Sequence, residues 1–263
     1  MANKLFKSVF HILIMKKRTV TIALAQIKYF EFSEKHNIHK ILYYIREAKK
    51  KNADIVCFPE SCVLRKGSLE LDHGAVKIIS EECKKNSIWC IITDDFKKNG
   101  RVYNTSILIN REGEIKGRYK KIHLYGDKTE AGKKSMVFKT DFGKIGVVIC
   151  WDLAFPDLFR KMKKRGAEIV FCPAQWWYDS KAHYSNFKKK ELKILRSLVL
   201  ARAYENVFFV ALCNPIVDSK FQVSYSAISS PTEILGEKIE KEGLLVKELD
   251  LREIERIQKI YDA

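Results

Sequence analysis

From Val20 onward the period of the apolar positions switches repeatedly between two residues and about three and a half. Val20, Ile22 and Leu24 alternate with their neighbours and predict a strand over 20–27, with those three side chains on one face. Ile38, Ile41, Leu42, Ile45 and Ala48 then recur at helical spacing. A short apolar strand over 54–58 ends at Pro59-Glu60, a second helix covers 75–85, and a strand follows over 88–93. Segments 103–110 and 114–119 flank Arg111-Glu112-Gly113, a hairpin signal. A buried strand is predicted over 144–150, and Pro156 starts a helix that should stop at Gly166. A strand over 168–174, a long helix over 186–206 and a strand over 207–212 follow. Segments 224–229 and 244–249 read as strands around a turn, before a short helix over 251–260.

This alternation is the pattern of sheets covered by helices, an α/β fold. No repeat, low-complexity linker or internal boundary interrupts it, so one domain is expected over 19–263, after an N-terminal extension over 1–18. A chain of 263 residues is long for one domain but within the range of α/β architectures with a large sheet. Its 46% hydrophobic residues supply a core and exclude the composition of disorder.

The formal charge of +17 would suit a nucleic acid or a membrane surface if it were clustered. Instead the lysines sit in short runs, such as 49–51, 163–165 (closed by Arg165) and 188–190, mostly near predicted helix ends, where they complement the macrodipole. No zinc-finger spacing, RNA-binding aromatic motif or basic zipper accompanies them, so no specific nucleic-acid partner is expected. Seven cysteines is an odd number, and Cys57, Cys90, Cys172 and Cys213 lie in apolar strand-like runs where a thiol acts as a small hydrophobe. A reduced, cytoplasmic protein is expected. No cysteine or histidine spacing resembles a zinc site, and the His36/His39 pair reads as surface, so no metal is expected. The apolar stretch 9–15 is too short to span a bilayer, follows Lys7 and lacks a cleavage site, so neither a signal peptide nor a membrane partner is expected. Met15 precedes Lys16-Lys17-Arg18 and the first strand, which makes it an alternative start.

In α/β sheets ligands gather where strands end, because side chains there project from a rigid edge. Three apolar runs end in potentially reactive groups: Ile55-Val56-Cys57-Phe58-Pro59-Glu60, Val147-Val148-Ile149-Cys150-Trp151-Asp152 and Ile169-Val170-Phe171-Cys172-Pro173-Ala174. Cys150 stands between a strand bounded by Gly143 and Gly146 and the turn before Pro156. Strand, sharp turn and helix expose a nucleophile and aim backbone N–H groups at an oxyanion; the alternative is a buried strand cysteine. Glu60, held behind Pro59 at a strand edge, is a candidate general base, or a cap or surface charge. Lys121 taken alone reads as a solvated lysine. Trp151, Phe155, Trp176 and Trp177 follow two strand ends and are expected to shape a pocket, or to serve as core or subunit contacts.

Three segments together resemble the nitrilase superfamily of carbon–nitrogen hydrolases: Phe58-Pro59-Glu60, Gly117-Arg118-Tyr119-Lys120-Lys121-Ile122-His123-Leu124, and the run from Gly146 through Cys150-Trp151-Asp152 to Pro156. Tyr103-Asn104-Thr105, Gly166-Ala167-Glu168, Ala201-Arg202-Ala203-Tyr204-Glu205-Asn206 and Gly243-Leu244-Leu245-Val246 extend the likeness over about 20–251. The resemblance implies a four-layer α-β-β-α sandwich and a Glu60, Lys121, Cys150 triad without metal or organic cofactor. Glu60 would be the base, Cys150 the nucleophile, and Lys121 with the Trp151 N–H the oxyanion donors. Glu130 is the nearest counterpart of a further family glutamate, in a segment shortened over 126–134 and lacking the usual aromatic residue before Gly132; otherwise it is a surface carboxylate. The resemblance also implies at least a homodimer, with Phe159, Met162, Leu195 and Leu198 as candidate contacts unless they cover the sheet.

The substrate expected from this likeness is a small linear amide or carbamoyl compound. Trp151-Asp152 resembles amidase and carbamoyl-amidase members, whereas nitrilases proper more often carry glutamate after the tryptophan; alternatively, Asp152 caps the turn. The other readings are a nitrilase proper and a catalytically silent binding protein on the same fold.

Overall fold

The first strand separates two hydrophobic clusters. In β1 (Thr19–Gln26), Val20, Ile22 and Leu24 enter one buried cluster while Ala23 and Ala25 enter the other, as a period of two requires. The computed structural model describes residues 18–29, 33–126, 128–178, 186–217 and 221–261. The extension expected over 1–18 and the alternative start at Met15 therefore lie, up to residue 17, outside the described residues.

After β1 come α1 (Glu34–Lys50), β2 (Ile55–Cys57), α2 (Gly74–Asn86), β3 (Trp89–Lys98), β4 (Arg101–Ile109) and β5 (Ile115–Lys120). Next are β6 (Val137–Lys139), β7 (Lys144–Val147), a 3-10 turn (Cys150–Ala154), α3 (Pro156–Lys163), β8 (Ile169–Pro173) and α4 (Phe187–Asn206). The chain continues through β9 (Phe209–Cys213), β10 (Tyr225–Ser229), β11 (Ile234–Ile239), β12 (Gly243–Asp250) and α5 (Arg252–Tyr261).

The strands form two six-stranded sheets, β12-β1-β2-β3-β4-β5 and β11-β10-β9-β8-β7-β6. Their inner faces meet in one cluster, where Ile22, Leu24, Ile91, Leu108 and Tyr119 of the first sheet join Ile145, Val147 and Phe171 of the second. On the first sheet's outer face, Ile41 and Ile45 of α1 and Val76 and Ile79 of α2 pack with Val56, Cys90 and Ile107. On the second sheet's side, Phe159 and Met162 of α3 and Leu195 and Val199 of α4 join the inner cluster. This is the expected α-β-β-α sandwich.

Two strands were not anticipated. β6 has three residues and β11 lies half-exposed at a sheet edge, so neither carries a full apolar alternation. β11 changes the pairing inferred for the end of the chain. Segments 224–229 and 244–249 are not partners: β10 pairs with β11, while β12 crosses to the first sheet and runs antiparallel to β1. The strand expected over 144–150 also ends its ladder early, at Val147, so Cys150 opens a 3-10 turn.

The edge strand β5 is anchored where it leaves the sheet. The Gly132 N–H donates to the Lys121 carbonyl at 2.7 Å, and the Lys121 N–H donates to Asn104 O at 2.9 Å. A Cβ at Gly132 would collide with the Lys120 carbonyl, which is backbone and cannot swing aside. Gly132→Ala is therefore expected to cost about 2 kcal/mol and lower the melting temperature by about 5 °C, read by circular dichroism. An unchanged midpoint would mean that the loop tolerates displacement from β5.

Candidate active site

The ends of β2, β5, β7 and β8 converge between the sheets. Glu60 follows β2, Lys121 follows β5, Cys150 follows β7, and Gln175 follows β8. Two of these positions come from each sheet, so the site exists only when the sheets are stacked. The backbone closes the junction directly: the Glu60 N–H donates across it to Ala174 O at 3.3 Å.

Lys121 Nζ lies 2.9 Å from Glu60 Oε1, and the two residues are 2% and 5% exposed, so the ion pair is sealed from bulk water. The other carboxylate oxygen, Oε2, accepts the Gln175 N–H at 3.0 Å. The Glu60 carbonyl accepts the Tyr29 hydroxyl. Just beyond Glu60, the buried Asp94 carboxylate accepts the N–H groups of Val63 and Leu64 at 2.8 and 2.9 Å and fixes the loop. Burial pushes Asp94 up to about 7, against the pull of those backbone donors.

Cys150 is also buried and has φ of +47°, in the left-handed region that a residue with a Cβ seldom occupies. Such a residue persists when its surroundings over-determine it. Here Asp152 does so. Its fully buried carboxylate accepts the Ile149 N–H at 3.1 Å and the Tyr119 hydroxyl at 2.7 Å through Oδ2, and the His123 N–H at 2.8 Å through Oδ1. His123 Nδ1 lies 3.0 Å from the same Oδ1, and its ring stacks on Phe155 at 3.5 Å. From α4, Arg202 donates to the carbonyls of Leu153 and Ala154 at 3.1 and 3.2 Å, which satisfies the end of the 3-10 turn. The Trp151 N–H lies ahead of the turn's first hydrogen bond, from Asp152 N–H to Ile149 O.

Burial pushes the Cys150 thiol well above its ordinary range, the Glu60 carboxylate adds to this, and the Lys121 ammonium opposes it. The Glu60 carboxyl group and the Lys121 ammonium thus both act on the thiol. That arrangement can form a thiolate by passing the proton to Glu60 and hold an anion against Lys121.

The three residues Glu60, Lys121 and Cys150 are thus together. Trp151 stands beside them in an aromatic group with Trp176, Tyr125 and Phe155, at centroid distances of 5.6, 5.0 and 6.1 Å. Trp176 is buried and donates through Nε1 to Glu191 at 3.0 Å, while Trp177 is 45% exposed. Glu130 is placed elsewhere: half-exposed, it lies 3.4 Å from Arg101 and 3.5 Å from the Tyr103 hydroxyl. Those contacts are the surface alternative raised for it. Asp152 likewise holds the turn. Of the proposed subunit contacts, Phe159, Met162 and Leu195 are fully buried within the chain and Leu198 is partly buried; the exposed apolar residues of α4 are Ile194 and Tyr204. Sequence patterning missed Gln175, Tyr29 and Asp94, and Arg202 entered only within a flanking segment of the family likeness, with no role. Gln175 acts through its backbone and so leaves no side-chain signal, although it directly follows one of the three apolar runs singled out above.

Two outcomes are expected from this geometry. Asp152→Asn puts an amide N–H₂ where donors already converge and should cost about 1–3 kcal/mol in urea unfolding; unchanged stability would refute the pinning role. Alkylation of Cys150 by iodoacetamide should rise with pH beyond the usual cysteine range, and in Glu60→Gln the profile should move to lower pH, because a raising influence is gone. A profile unmoved by the substitution would show that Glu60 does not face the thiol.

The carbon–nitrogen hydrolase family profile matches residues 21–259. The chain is 30% identical over 260 residues to 2-oxoglutaramate amidase of Bacillus subtilis (strain 168), covering 92% of this chain and 95% of that one. It is 24% identical over 274 residues to omega-amidase NIT3 of Saccharomyces cerevisiae, covering 91% and 90%. Among solved structures, a carbon–nitrogen hydrolase from Helicobacter pylori G27 superposes with a TM-score of 0.82 at 22% identity, over 93% of this chain and 94% of that one, which shows the shared fold. The chain therefore belongs to the carbon–nitrogen hydrolase family, as an amidase-like member of the nitrilase superfamily.

Proposed function

We propose that the protein hydrolyses the terminal amide of a small linear compound through a Cys150 thioester, with Glu60, Lys121 and Cys150 as its triad. The observation that carries this reading is the buried Glu60–Lys121 pair, 2.9 Å apart, whose two charges both act on the Cys150 thiol. Cys150 attacks the amide carbon as Glu60 takes the thiol proton. Lys121 and the Trp151 N–H stabilise the oxyanion, and protonated Glu60 delivers its proton to the departing nitrogen. Water, activated by Glu60, then cleaves the thioester to the acid. Every step uses a side chain or backbone group of this chain, so the scheme requires no metal or organic cofactor.

The substrate side of the proposal is drawn from the relatives. Two of them bear the names of amidases, one of 2-oxoglutaramate, so a short oxo-acid carrying a terminal carboxamide is the first class to test. Carbamoyl compounds form the second class. Amides are favoured over nitriles because an amide needs a proton donor at the leaving nitrogen and aligned donors at the oxygen, the roles assigned to Glu60 and the Lys121/Trp151 pair. Seven free, buried cysteines support a reducing, cytoplasmic setting. Assembly into at least a dimer completes the reading, with exposed Ile194 and Tyr204 on α4 as its support.

Ammonia release is expected from 2-oxoglutaramate or another short amide, with kcat/KM above that for every nitrile in the same panel. Cys150→Ala and Cys150→Ser should lose activity to background, and Glu60→Gln and Lys121→Ala should each lose about 100-fold or more, with circular dichroism spectra of folded protein. Parental turnover in either Cys150 variant would refute the nucleophile. Faster hydrolysis of nitriles than of all amides and carbamoyl compounds would refute the substrate class.

A further inference from the structure

A concavity lies on the opposite side of the first sheet from the inward-facing active-site residues. Strand register places Phe96 opposite Tyr103, Thr105 opposite Lys120 and Ile107 opposite Arg118. Phe96 and Ile107 belong to the outer cluster, so Tyr103, Arg118 and Lys120 share the outer face with them. Helices α1 and α2 cover Ile107 and the strands towards β1. At the far end of β3, β4 and β5, a groove of about 470 Å³ is walled instead by the segment 131–136 and by Leu71.

The lining has two chemical parts. Leu71, Phe96, Tyr103 and Met136 make an apolar floor. Around it stand Lys97, Lys98, Arg118, Lys120, Lys133 and Lys134, and the lining contains no acidic residue. None of these six cations has an acidic partner among the described residues; Lys120 Nζ instead rests over the Tyr103 ring, 3.0 Å from its centroid. Elsewhere, Arg46, Arg111 and Arg196 each meet carboxylates at 2.6 to 2.8 Å. Unpaired like charges around one concavity repel each other and focus a positive potential into it, and an apolar floor reduces the screening that water would give. An anion relieves that repulsion. The volume suits a small organic molecule, and the floor gives its uncharged part a surface to cover.

We propose that this groove is a binding site for a small organic polyanion with an apolar body, the chemistry of a nucleoside polyphosphate. The negative groups meet the rim formed by Arg118, Lys120 and Lys134, while the body covers Phe96 and Met136. The site is separate from the triad: it contains none of Glu60, Lys121 and Cys150, and its occupancy does not depend on the amidase reading.

Isothermal titration of the full chain with metal-free ATP at 0.15 M salt tests it, with adenosine and inorganic triphosphate as probes lacking one part each. ATP is expected to bind with a Kd below about 1 mM, and each partial probe at least about tenfold more weakly. The double reversal Arg118→Glu/Lys134→Glu, at exposed positions, should weaken ATP binding at least about tenfold without changing the melting temperature. Lys133→Glu/Lys134→Glu serves as the second variant if the first fails to fold. Absence of ATP binding, equal affinity for inorganic triphosphate, or a charge reversal without effect would each overturn the proposal. Salt-sensitive RNA binding in place of ATP binding would overturn it as well, by assigning the charge to a different partner.

Discussion

The interaction on which the site depends is the buried ion pair between Glu60 and Lys121. Removing two charges from water costs several kcal/mol per ion, and their attraction offsets this only when the remaining lone pairs and protons are also satisfied. Glu60 meets that condition through the Gln175 N–H, which comes from the other sheet. The pair therefore constrains more than two side chains. It requires the end of β2 to lie beside the end of β5, and both to meet the end of β8 across the sandwich. If any of the three shifts, a buried charge is left without compensation.

β5 links this constraint to the nucleophile. Tyr119 and Lys121 are two residues apart, and both lead inward, as strand periodicity and its continuation require. The Tyr119 hydroxyl reaches Asp152, which sets the turn of Cys150, and the Lys121 ammonium reaches Glu60. One short strand thus holds both the turn that presents the sulfur and the carboxylate beside it. Arg202 completes the arrangement from α4 by accepting no freedom at the turn's last carbonyls: its two donors occupy Leu153 O and Ala154 O. The left-handed backbone at Cys150 is thereby held from both sheets and from a helix.

Most of this was legible in the sequence for identifiable reasons. Apolar runs and helical stripes exposed an α/β fold of sheets covered by helices, whereas the four-layer stacking came only from the family resemblance. Glu60 and Cys150 stood out at the ends of apolar runs, whereas Lys121 emerged only from the combined resemblance, since one lysine in a chain of charge +17 carries no signal alone. The failures have physical causes as well. The short β6 and the half-exposed β11 lack the apolar alternation that marks a strand, and missing β11 joined β10 to β12 across two different sheets. Glu130 had the residue type of a functional group, but its place beside Arg101 and Tyr103 is set by the path of the loop, which spacing does not encode. Asp152 was open to two readings until its hydrogen bonds decided in favour of the turn.

The most direct test of the account is the chemical state of Cys150 during turnover. Protein mixed with an amide that it hydrolyses, quenched in acid within the first turnovers and digested, should yield the peptide containing Cys150 heavier by the acyl group of the substrate. The added mass should disappear on treatment with hydroxylamine, as a thioester's does. Acyl mass on a different residue, or steady ammonia release with Cys150 blocked by prior alkylation, would contradict the account.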